Sequence, residues 1–243
     1  MRFLIIFLAV ILLAIIVLGV VIYFNSPEEV SDLGYFVITK NGVEDRFTKT
    51  RNAKLVWYSD GLCPDCHRVE EQIGTQLQEL VKEGNLEIEY HPINFLGKYC
   101  IDDFCLRHAA WTLGVAKYAP DKIWDWLSLA NTPESAPSEA YQSFEELRFY
   151  EIADKAGLTK EEIIIIDKNM NNLKRLVNIE SVNIRENEEL ISISPKEKMF
   201  VPFMYLEGVN GKAFDGESED TPDSILSPLL QYIELNCSDC TDE

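Results

Sequence analysis

Lys54-Leu55-Val56-Trp57-Tyr58-Ser59-Asp60-Gly61-Leu62-Cys63-Pro64-Asp65-Cys66 is the stretch that decides the fold. Lys54 to Ser59 is a short apolar run of buried-strand type, and Asp60-Gly61 is a turn signal that ends it. Pro64 suits a first helical turn, where its missing N–H is not needed. Beyond it, Val69, Ile73, Leu77, Leu80 and Val81 recur at helical spacing as far as Gly84. Alternation from Leu86 to Ile93 marks the next strand. The order is strand, turn with cysteine, helix, strand.

A dithiol at the start of a helix has its first sulfur close to unpaired backbone amides, a setting that stabilises thiolates. Cys63 is then the sulfur that attacks or is attacked, and Cys66 the one that resolves a mixed disulfide. Asp65 acts in two directions, opposing a nearby thiolate while favouring the helix start. His67 reads as a polar helix residue that modulates the pair. A static disulfide and half of a zinc site are the alternative readings, with His67, His91 and His108 as further ligands. Cys100 and Cys105 lack the spacing of a partner knuckle, so no metal is expected.

Working outward, Gly34 to Thr39 and Val43 to Phe47 flank Asn41-Gly42 and predict a hairpin. From Tyr99 to about Asn178 the chain reads as successive helices, at Cys105 to Ala119, Ile123 to Leu129 and Ser138 to Ala156. A further helix opens at Thr159, where Glu162 completes a capping box, and weak periodicity continues through Leu173, Leu176 and Ile179. Strand character returns at Val201 to Leu206, with Pro202 confined to the strand's beginning or an edge. Asn210-Gly211 turns the chain toward Lys212-Ala213-Phe214. A last amphipathic helix spans Ser224 to Glu234 through Ile225, Leu229, Leu230 and Ile233.

Three features together, the strand ending at Cys63-Pro64-Asp65-Cys66, the helical block, and Val201-Pro202-Phe203 leading into Gly208-Val209-Asn210-Gly211-Lys212, resemble the DsbA-like thiol-disulfide oxidoreductases of the thioredoxin superfamily. The resemblance extends over roughly residues 34 to 235. It implies an α/β thioredoxin-like fold with an inserted helical domain. Residues 34–98 and 191–235 make the thioredoxin-like parts, 99–190 the insertion and 236–243 a polar tail. It implies a cis Val201-Pro202 bond beside Cys63, with the Val201 backbone offering hydrogen bonds to an extended substrate peptide. The implied activity introduces disulfide bonds into exported polypeptides with free thiols. A membrane or soluble redox partner recycles the enzyme, and no dissociable cofactor is needed. Asp65 stands where the best-known pattern has His. That leaves a disulfide isomerase or reductase, kept reduced by a membrane electron donor, as an alternative, and a non-enzymatic chaperone or binding module as a more distant one.

The N-terminus sets the expected compartment. Phe3 to Phe24 is 22 residues without a charge, and a helix of that length spans about 33 Å. Arg2 precedes it while Glu28, Glu29 and Asp32 follow, which favours an inside N-terminus and an extracytoplasmic body. An uncleaved transmembrane anchor at 1–24 with a linker at 25–33 is the preferred reading over a cleaved signal peptide. In an oxidising compartment, Cys100 with Cys105, and Cys237 with Cys240, read as structural disulfides. Asn236-Cys237-Ser238 also matches a glycosylation sequon. The formal charge is −19, and −20 for residues 25–243, which argues against any general grip on nucleic acid. Glu217, Glu219, Asp220 and Asp223 read as a solvated acidic face.

Overall fold

Five strands form one sheet in the order β2-β1-β4-β3-β5. They are β1 (Phe36–Thr39), β2 (Gly42–Glu44), β3 (Ala53–Ser59), β4 (Leu86–Pro92) and β5 (Phe203–Leu206). The computed structural model that shows this describes residues 32–48, 52–137, 146–207 and 222–236. The expected anchor at 3–24, the turn at Asn210-Gly211 and the cysteines at 237 and 240 lie outside the described residues. Among the described residues, no helix is long and apolar enough to cross a membrane.

β3 and β4 run parallel, joined by helix α1 (Pro64–Lys82), while β1 and β5 pair antiparallel to β4 and β3. Strand alternation then assigns residues to two buried faces. Leu55 and Trp57 of β3 and Leu86, Ile88 and Tyr90 of β4 turn to one side, into the cluster that holds Val69, Ile73, Leu77 and Val81 of α1. Val56, Tyr58 and Phe203 turn to the other, with Ile184 and Leu190. A strand covered on both faces has no polar side to show, which is why β3 reads as a continuous apolar run.

Between β4 and β5 lie α2 (Phe104–Tyr118), α3 (Ile123–Ala130), α4 (Glu146–Lys155), α5 (Lys160–Arg185) and α6 (Glu188–Ile193), and α7 (Pro222–Asn236) follows β5. Thr159 caps α5 reciprocally: its hydroxyl accepts from the Glu162 amide at 3.3 Å and Glu162 Oε2 accepts the Thr159 amide at 2.6 Å. α2 and α5 approach closely at Gly114, where a Cβ would sit 2.8 Å from Ile166 Cγ2.

Several sequence expectations need correction. Pairing in β2 stops at Glu44 rather than Phe47, because the chain swings away so that Thr48 and Asn52 bond the buried Glu87 carboxylate of β4. Ile179 faces solvent, since the buried stripe of α5 runs through Leu173, Leu176, Val177, Ser181 and Ile184. In α7, Leu229 is buried and Ile233 packs on the core as expected, and Leu226 is buried with them, but Leu230 is exposed. α6 carries no periodic signal long enough to read and is held by Asn187, whose side chain accepts from the Glu189 and Leu190 amides.

His91, on the second face of β4, is a buried histidine between two carboxylates. Its Nδ1 lies 2.9 Å from Glu180 Oε1 of α5 and its Nε2 2.8 Å from Glu89 Oε1, with Tyr35 and Tyr58 stacked at 4.7 and 4.3 Å. Burial alone lowers the imidazole pKa, but the two carboxylates outweigh it and the net shift is upward. The bonded imidazolium therefore contributes stability that is fully present below the ordinary histidine range and is lost as pH rises through the raised value. His91→Gln should lower the unfolding free energy at pH 6 by about 3 kcal/mol, since it leaves two carboxylates facing each other. The deficit should narrow by pH 9, as urea titrations at the two pH values will read.

Candidate active site

β3 ends at Ser59 and the chain must turn at once into α1. Asp60, only 1% exposed, builds that turn: its Oδ1 accepts the Leu62 amide at 3.0 Å, and its carbonyl accepts the Cys63 amide at 3.0 Å. Its Oδ2 accepts the Leu96 amide at 2.9 Å, tying the turn to the loop after β4. Burial pushes the Asp60 carboxyl up to about 6 against the opposing pull of these amides. Gly61 packs under the ring of His108 from α2, and a Cβ there would lie 2.2 Å from His108 Cγ. His108 Nε2 is 3.0 Å from the Ala130 carbonyl, and burial holds the ring neutral with a pKa near about 4. His67 Nε2 lies 2.9 Å from the Gly61 carbonyl, closing the turn from the helix side, and burial lowers its pKa.

Cys63 emerges from this turn as the N-cap of α1, with Pro64 at its first position. The Cys66 amide donates to Cys63 Sγ at 3.2 Å, so the sulfur occupies the acceptor position that a serine or aspartate side chain takes in other helices. Both cysteines are free thiols, 4% and 1% exposed. Burial pushes the Cys66 thiol well up, the proximity of Cys63 adds to the rise, and hydrogen bonding from Asp60 and Ser59 acts against it. Asp65 is half-buried and pairs with Arg68 at 2.8 Å.

Beneath Cys66 lies a polar layer that the sequence analysis missed. The Tyr90 hydroxyl accepts from Asn131 Nδ2 at 3.3 Å and also bonds Ser59. Glu70 is one helical turn beyond Cys66, on the same face of α1. Burial lifts its carboxyl up to about 7, and Oε2 has no hydrogen-bond partner among the described residues. Glu70, His67 and Asn131 border a cavity of about 350 Å³ between α1 and α3. The i, i+4 spacing from Cys66 to Glu70 was a usable signal, and Asp60 before Gly61 was another. Tyr90 and Asn131 carried none, because they arrive from distant segments.

On the exposed side, Cys63, Pro64 and Asp65 border a groove of about 920 Å³ together with residues 94–99, Arg185, Ile191 and 197–201. β3–β5 pairing sets Phe203 opposite Tyr58, which brings Val201 and Pro202 to the strand end that leads to Cys63. The Val201–Pro202 peptide is cis. Cys100 and Cys105 are joined by a disulfide with Cα atoms 6.0 Å apart, fastening the loop after β4 to the first turn of α2. Among the described residues, no group of three or more His, Cys, Asp or Glu is arranged to hold a metal ion.

Two substitutions test this construction. Gly61→Ala should cost about 2 kcal/mol in thermal or urea unfolding, because the methyl group meets the His108 ring. Glu70→Gln should match the native protein at pH 5 and exceed it by roughly 3 kcal/mol at pH 8.5. The raised Glu70 pKa means that the native protein loses stability between about 4.5 and 7 as the buried carboxyl ionises, and the amide does not.

No family model and no curated protein matches the sequence. Solved structures do. Reduced DsbA from Mycobacterium tuberculosis superposes with a TM-score of 0.61 at 18% identity, over 84% of this chain and 98% of that one. MdbA, a thiol-disulfide oxidoreductase from Corynebacterium diphtheriae, gives 0.59 at 16% identity over 83% and 96%. Oxidised BdbD from Bacillus subtilis gives 0.59 at 16% over 83% and 94%. The chain therefore has the fold of the DsbA-type thiol-disulfide oxidoreductases, a thioredoxin-like sheet with a helical insertion.

Proposed function

We propose that the protein is a thiol-disulfide oxidoreductase that introduces disulfide bonds into exported polypeptides through Cys63 and Cys66. The observation that carries this reading is the placement of Cys63: an N-cap sulfur at the carboxyl end of a central strand, with a buried second thiol behind it and a groove in front. Its DsbA-type fold supports the same chemistry. In the oxidised enzyme, a substrate thiolate attacks Cys63 Sγ, the Cys63–Cys66 bond breaks, and Cys66 leaves as a thiolate that takes up a proton. A second substrate thiolate then attacks the substrate sulfur of the mixed disulfide, expelling Cys63. The substrate loses two electrons and two protons, and the enzyme dithiol gains them. An electron acceptor on the same side of the membrane restores the disulfide, and exchange itself needs no dissociable cofactor.

Val201 and Pro202 hold the substrate chain extended beside Cys63, while Pro64, Asp65 and His67 tune the pair. Cys100–Cys105 and Cys237–Cys240 are structural. Residues 34–98 and 191–235 work as the thioredoxin-like domain around an insertion at 99–190. The apolar run at 3–24 anchors the body on the extracytoplasmic side, and the Cys100–Cys105 disulfide fits an oxidising compartment.

Cys63→Ser should abolish exchange with a reduced substrate protein. In Cys66→Ser the lone Cys63 thiolate should attack a disulfide of an oxidised substrate protein, expel one substrate thiolate and, with no second thiol to resolve it, accumulate a mixed disulfide visible on a non-reducing gel. A reduction potential near about −120 mV in defined glutathione ratios marks an oxidase, and one near about −270 mV marks a reductase instead.

A further inference from the structure

The groove beside Cys63 departs from the charge of the molecule around it. Residues 25–243 carry −20, yet the exposed cations Lys98, Arg185 and Lys198 all line this groove. Among the described residues, none of the three makes an ion pair with a carboxylate. Two lie instead over aromatic rings, Arg185 at 4.9 Å above Phe95 and Lys98 at 4.7 Å above Tyr99. Such contacts hold the charge at the surface without neutralising it. The groove's own acids do not cancel them: Asp65 is engaged by Arg68, which leaves Glu197. Between the cations, Phe95, Met199, Phe200 and Val201 form a half-buried apolar floor.

We propose that this groove selects extended polypeptide segments that carry Asp or Glu beside the reacting cysteine, the acids meeting Lys98, Arg185 and Lys198. This inference rests on the thiol-exchange reading above and names its substrate class. The apolar floor takes the neighbouring side chains, and the cations choose among them by charge. A like-signed body field makes the choice local: an acidic segment is repelled by the molecule at long range and held only where the three cations stand.

The opposing signs make the test decisive. Three peptides, with one cysteine flanked on both sides by Glu, by Gln or by Lys, are reacted with the oxidised full-length protein in neutral detergent. Each rate is divided by that peptide's rate with 2-hydroxyethyl disulfide, a neutral reference that removes differences in thiol acidity. The body field alone ranks Lys above Gln above Glu. The groove ranks Glu first, about fivefold over Gln at roughly 0.01 M ionic strength, with the preference gone near 1 M salt. In the K98Q/R185Q/K198Q variant the order should revert to that of the body field. Lys ranking first in the native protein, equal rates for all three peptides, or a Glu preference that survives in the variant or in high salt would each overturn the proposal while leaving thiol exchange standing. Absence of exchange with every peptide would overturn the thiol-exchange reading and this inference with it.

Discussion

The placement of the two cysteines depends on how tightly the Asp60–Leu62 turn fits between a strand end and the ring of His108. β3 is buried on both faces and runs straight into α1, so three residues must reverse the chain with almost no solvent to satisfy their amides. The Asp60 side chain and carbonyl take up the amides of Leu62, Leu96 and Cys63, and Gly61 leaves room for the imidazole above it. Cys63 is delivered to the N-cap because this turn has no slack. The helical insertion is part of the device, since His108 is a residue of α2 that is itself positioned by the Ala130 carbonyl at the end of α3.

Around that turn the two sulfurs fall into different surroundings. Cys63 receives a helix amide and opens onto the groove, whereas Cys66 is sealed among Ser59, Tyr90 and the backbone of Asp60. Desolvation dominates on the inner side, lifting the pKa values of Cys66, Glu70 and Tyr90 together. Burial favours the neutral form of each of these groups. On the far face of the sheet the opposite occurs at His91, where two carboxylates favour the charged form of the buried ring. Burial thus favours the neutral form of the groups beneath the cysteines and ion pairing the charged form of the ring behind them. The difference lies in whether partners of opposite sign reach the buried group.

Much of this was legible in local sequence. Period-2 and period-3.6 patterns marked β3, α1 and β4, the capping pair Thr159 and Glu162 marked the start of α5, and Pro202 could only open or edge a strand. Where local reading went astray, a tertiary partner had intervened. The hairpin was cut short by Glu87, a buried carboxylate that draws the following chain toward β4. In α5 and α7 one position of each expected stripe departed, because Ile179 and Leu230 face solvent while Leu173, Leu176 and Val177 of the one and Leu226, Leu229 and Ile233 of the other pack on the core.

The sequence by itself determined the order of elements and the chemistry on offer: a dithiol at a strand-to-helix junction, a late X-Pro strand, and an acidic body. These follow from periodicity, turn residues and charge, all of which are properties of neighbours along the chain. Only the tertiary structure decided that Cys63 borders the groove while Cys66 does not, that Asn131 and Tyr90 meet, and that Lys98, Arg185 and Lys198 converge on that groove. Those facts depend on segments up to about a hundred residues apart being brought together. Desolvation and charge complementarity arise only when they touch.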